Sequence, residues 1–375
     1  MEKNRFPGVE EGGFVGGIPI RNIWLLLLYA SELLRYVDGG KLSVEKDPDD
    51  IPDLVGELLA RLVEKRIRRN LSYGYRTRAG VLGRVRGQIL MLETECRDLL
   101  SRGSVACRFE ELAVDTIRNR YVKAALETIA CLIKEKKLAG RCKSLAAVLR
   151  GMGVVGGKPS RAEMSADRIG RNDAADSMMM TAARLAFDMA LPVEMAGTRN
   201  LPVPERTIEW LRKLYERAVA GFYDVVLSPS EWKVSQGKTL HWRITERSSG
   251  IGDILPSMRT DIFLENENSG RKIIIDTKFN AILTKGWYRE ESLRSGYIYQ
   301  MYAYLRSQEG NGDPLSESVS GILLHPVVGG KAVDERAVVQ GHEIRFATVD
   351  LGASAVEIRT RLLELIAGTP KRENA

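Results

Sequence analysis

Histidine is scarce in this chain: there are three in 375 residues, His241, His325 and His342. None lies at a spacing typical of a zinc site or beside a candidate nucleophile, so histidine-centred hydrolysis and zinc chemistry are not expected. Cysteine is nearly as sparse. Cys96, Cys107, Cys131 and Cys142 contain no CxxC pair, which argues against a zinc ribbon and a disulfide framework and leaves an iron–sulfur cluster as a minor alternative. Long apolar runs are also missing. The longest, residues 23–30, falls far short of the roughly 20 residues a membrane-spanning helix needs. The glycine-rich lead before it carries the acidic pair Glu10 and Glu11, unlike the n-region of a signal peptide. A cytoplasmic protein is expected. No internal repeat or low-complexity tract stands out.

What is present is an ordinary globular composition. A length of 375 residues suggests about two domains, and 44% hydrophobic residues suffices for real cores. The net charge of +7 is unevenly spread: residues 61–90 hold nine Lys/Arg against the single acid Glu64. That stretch, RLVEKRIRRNLSYGYRTRAGVLGRVRGQ and its next two residues, interleaves Tyr73 and Tyr75 with Arg66, Arg68, Arg69, Arg76, Arg78, Arg84 and Arg86. A surface tracking a phosphate backbone has this character. A solvated basic helix face, or a dock for an acidic partner, would look the same.

Taken in order, IWLLLLYASELLRYV reads as a buried helix that stops at Asp38, Gly39 and Gly40. Residues 54–67 read as an amphipathic helix, 81–92 as a glycine-punctuated strand and 119–136 as a helix. Residues 15–190 are therefore expected to form a helix-rich mixed domain. Residues 151–156 spell GxGxxG, yet the preceding SLAAVLR is helical in pattern and Pro159 stands where a P-loop needs Ser or Thr. A flexible connection is expected there, and a nucleotide site is not. Prolines within 192–204 suggest a domain boundary, and the second domain is expected over 200–375.

That second domain opens on a helix, residues 205–227, whose Glu209 and Glu216 are two turns apart and share a side. Either could serve as an acid. Residues 241–244 read as a strand, 297–305 as a helix carrying Gln300 and Tyr304 at i and i+4, 321–328 and 344–351 as strands and 356–366 as a last helix.

The chemistry concentrates in MRTDIFLENENSGRKIIIDTKFN, residues 258–280. Two short β-branched segments flank the turn signal Glu267, Asn268, Ser269 and Gly270. Opposed positions in a hairpin share a midpoint, and a midpoint of 268.5 sets Asp261 against Asp276. Alternation then brings Lys278 to the side of Asp276. Two facing carboxylates repel unless a cation intervenes, and a hard divalent ion such as Mg²⁺ is the natural one. A lysine beside it can orient an attacking water and offset charge on a phosphoryl transition state. Phosphodiester hydrolysis is the implied reaction. A surface hairpin with an Asp/Lys ion pair is the plain alternative.

Asp261, then Asp276-Thr277-Lys278, then Gln300-x-x-x-Tyr304, in the order αβββαβ, resembles a PD-(D/E)xK nuclease of the RecB-like branch. The segments IPIRNIWLLLLYA, LGRVRG, LPSMRTDI, IIIDTKF, YQMYAYL and GILLHP, in this order, resemble the McrC family, the nuclease subunit of the McrBC 5-methylcytosine-specific, modification-dependent restriction system. The likeness spans nearly the whole chain. One departure is Thr260 where the name-giving proline would stand.

The resemblance implies an α+β chain with a restriction-endonuclease-like C-terminal domain and an N-terminal McrC-type domain. It implies that Asp261, Asp276 and the carbonyl of Thr277 ligate Mg²⁺, for which Mn²⁺ can substitute, while Lys278 positions the attacking water. It favours Glu216 over Glu209 as the helix acid, and it gives Gln300 and Tyr304 the task of holding lysine, water or phosphate. It also implies a ring-forming AAA+ GTPase partner, McrB, that recognises and translocates methylated double-stranded DNA. GTP would then act only through the partner, whose hydrolysis the N-terminal half would stimulate on docking, and two nuclease subunits would pair in the assembly. A stand-alone repair nuclease and a non-catalytic assembly factor bridging DNA and a motor remain the alternatives.

Overall fold

The computed structural model describes residues 13–31, 33–34, 48–167, 174–196, 205–227, 231–285, 290–310 and 319–367. The helix expected to run on to Asp38 ends at Ala30, where Ser31 takes an extended backbone (φ −92°, ψ 147°); the prolines at 202 and 204 lie outside the described residues. The described residues divide into two compact units, one within Pro52–Ala190 and the other within Phe6–Ile51 and Leu191–Ala375. Among the described residues no helix is long and apolar enough to cross a membrane.

The first helix, α1 (Ile20–Ala30), belongs to the second unit. A domain running from residue 15 to 190 is thereby corrected. The physical reason is that α1 is apolar almost all round and so must be enclosed. Its one buried amide, Asn22, donates to the carbonyls of Leu351 and Ala353 at 2.7 and 2.9 Å. Its C-terminal carbonyls abut Gly221, where an added Cβ would lie 1.9 Å from the oxygen of Tyr29.

The first unit holds helix α2 (Ile51–Arg68), which starts at the boundary, and the strands β1 (Gly74–Leu82), β2 (Gln88–Ile89) and β3 (Val105–Ala113). They form one antiparallel sheet in the order β1-β3-β2. The strand expected over 81–92 is thus displaced. β1 ends at Leu82, only Gln88 and Ile89 re-enter the sheet, and residues 91–96 are a short helix. Five consecutive residues of β1 are exposed, so no apolar alternation marks it as a strand. Helix α3 (Ile117–Ile129) is capped by Thr116, whose side chain accepts from Asn119 N. The helix expected over 119–136 is in fact two, because α4 (Lys136–Gly151) begins separately. Asp53 accepts the N–H groups of Lys134 and Glu135 at 3.1 and 3.0 Å and so fixes the break. Helix α5 (Ala174–Glu194) follows and carries Pro192 near its end.

The GxGxxG stretch follows a helix, as its pattern indicated, but it is tied down. The buried Lys123 ammonium donates to the carbonyls of Val154 and Gly156 at 2.8 and 2.7 Å. Gly156 N donates to Asp115 at 3.0 Å.

In the second unit, helix α6 (Glu205–Leu227) buries Leu211, Leu214, Tyr215, Ala218, Val219 and Phe222 along one side and crosses α1. The strands β4 (Trp232–Gln236), β5 (Ile262–Asn266), β6 (Arg271–Thr277), β7 (Ser320–Val327), β8 (Asp334–Val339) and β9 (His342–Asp350) build one mixed sheet, ordered β8-β9-β7-β6-β5-β4. Pairs β6/β7 and β7/β9 are parallel and the others antiparallel. The strand expected at 241–244 is absent; β4 takes its place, while Trp242 and Ile244 are exposed. The fully exposed edge strand β8 went unforeseen for the same reason as β1.

β5 and β6 are central, so their apolar runs are buried on both faces. Ile273, Ile274 and Ile275 are essentially inaccessible, each worth about 2 kcal/mol by burial. Between β6 and β7 the chain forms helix α7 (Ser295–Arg306), and Met301, Tyr304 and Leu305 pack on Phe263, Ile274, Leu323 and Phe346. Helix α8 (Ala355–Ile366) closes the unit; Tyr223 of α6 donates to its Leu362 carbonyl at 2.8 Å. The whole is a mixed α+β chain.

Candidate active site

The site forms where the β5–β6 hairpin opens. Asn266 Oδ1 accepts from Ser269 N at 2.8 Å and Gly270 takes a positive φ of 66°, so the turn falls on residues 267–270 as expected. The ladder ends with Ile275 opposite Ile262. One further step in the same register sets Asp276 opposite Asp261.

Asp276 shares the face of β6 that carries Ile274, toward α7. It is 2% exposed, and its Oδ2 lies 2.7 Å from Lys278 Nζ. No hydrogen bond of good geometry reaches that oxygen among the described residues, so the contact is an ion pair. Burial pushes the Asp276 carboxyl up to about 6; Lys278 pulls it down, and Asp261 and Glu216 push it further up. Asp261 meets the strand end differently. Its Oδ2 accepts from Thr277 N at 2.7 Å and from Thr277 Oγ1 at 2.8 Å.

Lys278 is fixed from several directions. Its own N–H donates to Leu324 O on β7 at 2.9 Å. Its ammonium donates to Gln300 Oε1 at 3.1 Å and sits 4.9 Å from the ring centre of Tyr297. Gln300 Nε2 donates to the Tyr304 hydroxyl at 2.6 Å, and that hydroxyl donates to the Arg259 carbonyl at 2.8 Å. The relay leaves Gln300 one amide orientation, with its oxygen toward the ammonium. Burial also raises the pKa of the Tyr304 hydroxyl, keeping it a donor.

Residues 297, 300 and 304 form one stripe of α7 at i, i+3 and i+7. Tyr297 was not among the residues singled out from sequence, although that spacing marks it. Its hydroxyl accepts from Asn280 Nδ2 at 2.6 Å. The Asn280 carbonyl in turn meets Nδ1 of the buried His325 at 3.0 Å, whose pKa burial lowers, so a neutral ring donates there. Phe279 packs on Tyr215 of α6 with ring centres 5.8 Å apart. Residues 278–280 are thus clamped between sheet and helices.

The two helix acids part company. Glu209 pairs with Lys213 one turn on, at 2.7 Å in solvent. Glu216 lies on the exposed side of α6; even so, desolvation raises its pKa, Asp261 adds to the rise, and Arg212, Arg259 and Lys278 oppose it. Glu216 therefore feels the hairpin charges. Among the described residues, however, no three His, Cys, Asp or Glu side chains stand close enough together to hold a metal. The donors at hand are the carboxylates of Asp261 and Asp276 and the carbonyl of Thr277. This hard-oxygen set suits Mg²⁺, which commonly takes one or two carboxylates and keeps several waters. The incompletely satisfied Asp276 Oδ2 fits the same ion.

The seven arginines of the basic stretch have different environments. Arg66 pairs with the buried Asp176 at 3.1 Å, beside Arg118, which pairs with the same aspartate at 3.2 Å. Arg76 and Arg78 are exposed on β1 and lie 3.3 Å from Asp115 and Glu111. Arg86 covers the ring of Phe109 at 4.4 Å. Arg68 and Arg69 lie at the end of α2, and Arg84 is exposed in the turn after β1.

The family model for McrBC 5-methylcytosine restriction system components matches residues 10–316. The type IV methyl-directed restriction enzyme EcoKMcrBC of Escherichia coli (strain K12) is 26% identical over 353 residues, covering 93% of this chain and 97% of the relative. A half-complex from a tetradecameric assembly of Thermococcus gammatolerans McrB AAA+ hexamers with bound McrC aligns at a TM-score of 0.40 and 14% identity, over 92% of this chain and 76% of that one. The Thermococcus gammatolerans McrBC complex aligns at 0.33 and 17%, over 56% and 58%.

Proposed function

The chain belongs to the McrBC family of 5-methylcytosine restriction system components, and we propose that it is the nuclease subunit of such a system. In this reading it is a Mg²⁺-dependent endodeoxyribonuclease of the PD-(D/E)xK class. It cuts methylcytosine-containing DNA in the cytoplasm when assembled with a McrB-like AAA+ GTPase, whose GTP hydrolysis it stimulates. The observation that carries the proposal is the convergence of Asp261, Asp276 and Lys278 at one hairpin end, with Gln300 2.6 Å from Tyr304 behind the lysine.

Asp261 and Asp276, with the Thr277 carbonyl, would hold the ion, for which Mn²⁺ could substitute. When bound, Mg²⁺ supplies charge stabilisation at the phosphoryl oxygens. Lys278 orients the attacking water and offers a proton donor at the scissile phosphate. Gln300 and Tyr304 keep the ammonium in place, so its position is set before substrate arrives. Glu216 is the helix acid that would orient an ion-bound water. GTP enters only through the partner. The exposed arginines of β1 and its turn contact DNA or the partner ring.

The test is incubation of the purified chain with methylated and unmethylated duplex DNA, with and without a McrB-like GTPase and GTP. Cutting confined to methylated DNA with partner and GTP supports the proposal. Cutting with Mg²⁺ alone points to a stand-alone nuclease, and no cutting under any condition to an assembly factor.

A further inference from the structure

The first unit contains a pocket of about 820 Å³, lined by residues from α2, β1, the end of β3 and the start of α3, in a volume range typical of small-molecule sites. Tyr73, Tyr75, Arg76 and Arg120 are among its walls. We propose that this pocket binds one unpaired nucleotide, its base against Tyr75 and its phosphate against Arg76 and Arg120. The inference shares with the proposed function only the premise that this protein handles nucleic acid.

Three observations carry it. Tyr73 and Tyr75 are 58% and 75% exposed, an unusual state for large rings on a strand and its entry. β1 is an edge strand of its sheet, and adjacent side chains point to opposite faces. A nucleotide lying along that edge therefore has a ring on one side and a guanidinium on the other, matching its own division into base and phosphate.

The charge of the walls is the third observation. Four arginines and two aspartates line the pocket. Asp167 is taken by both arms of Arg118 at 3.1 Å, and Asp115 by Gly156 N at 3.0 Å and Arg76 at 3.3 Å. Arg120 is the least compensated: its acid contact is the half-exposed Glu163 at 3.5 Å. An anionic group near Arg120 completes it. Stacking on an exposed tyrosine requires an unpaired base, because in a duplex both faces are already stacked.

The experiment measures anisotropy of a short fluorescein-labelled single-stranded oligothymidylate with the full chain, without Mg²⁺ or partner. Catalytic failure therefore leaves the readout untouched. Tyr75→Ala is expected to weaken binding about 10-fold, within the range for loss of one stacked base, while Tyr75→Phe binds like wild type. Arg76→Ala is expected to weaken it and flatten its salt dependence. Competition by guanosine 5′-monophosphate at equal affinity identifies a free nucleotide as the ligand; failure to compete identifies a strand. Unchanged binding by Tyr75→Ala, equal affinity for the duplex, or capture of polyglutamate in place of the oligonucleotide overturns the proposal.

Discussion

Asp261 and Asp276 stand opposite each other at the end of the hairpin, yet their carboxylates are used unequally: Asp276 is ion-paired to Lys278 at 2.7 Å, while Asp261 accepts two hydrogen bonds from Thr277. The inequality has a measurable consequence. The Asp276 carboxyl is raised from 3.8 to about 6, chiefly by burial. The folded state then holds its proton more tightly than the unfolded state. The contribution of this group to stability is greatest below pH 4 and is lost as pH rises to about 6. In metal-free protein, wild type should lose up to about 3 kcal/mol relative to Asp276→Asn across that window. Thermal melts of both proteins from pH 4 to 8 check this. Adding Mg²⁺ at pH 7 should raise the melting temperature of wild type and not of the variant.

The relay behind Lys278 predicts a graded series. Tyr304→Phe removes the hydroxyl that accepts from Gln300 and donates to Arg259 O, freeing the amide to rotate. Cleavage by the assembled complex should fall about 10-fold, with KM for DNA little changed. Gln300→Ala should fall further. A loss expressed mainly in KM would mean that the relay binds DNA.

Gly221 tests the reassignment of α1. A methyl group there would meet the Tyr29 carbonyl at 1.9 Å, so Gly221→Ala must push α1 off α6. A destabilisation of about 1–3 kcal/mol is expected, read by urea denaturation. Alanine is otherwise the better helix former, so stabilisation would refute the packing.

Two arginines of the basic stretch separate structure from surface. Arg66→Ala leaves the buried Asp176 with one cation fewer and should cost about 1–3 kcal/mol. Arg78 is largely exposed, and Arg78→Ala should change stability by less than about 0.5 kcal/mol. Equal losses in both would contradict these environments.

The hairpin was legible from sequence because its register follows from the turn: Gly270 and Asn266 fix where the chain reverses, and side-chain alternation does the rest. The long helices were legible from their apolar stripes. Strand β1 was not, because its exposed arginines and tyrosines erase alternation, and the same exposure hid β8. Asp53, far away in sequence, decides where α3 and α4 separate, which no local window reveals. The placement of α1 likewise depends on Leu351, Ala353 and Gly221. At the site, the residue types were readable, whereas the turning of Asp261 onto Thr277 and the role of Tyr297 required the packed structure.

In the proposed function this hairpin is a cutting centre delivered to DNA by a partner. Its most direct test is Asp276→Asn in the complex with a McrB-like GTPase, scoring DNA cleavage and GTP hydrolysis in the same reaction. Cleavage should fall at least about 100-fold while stimulated GTP hydrolysis stays unchanged. Cleavage at the wild-type rate would contradict it.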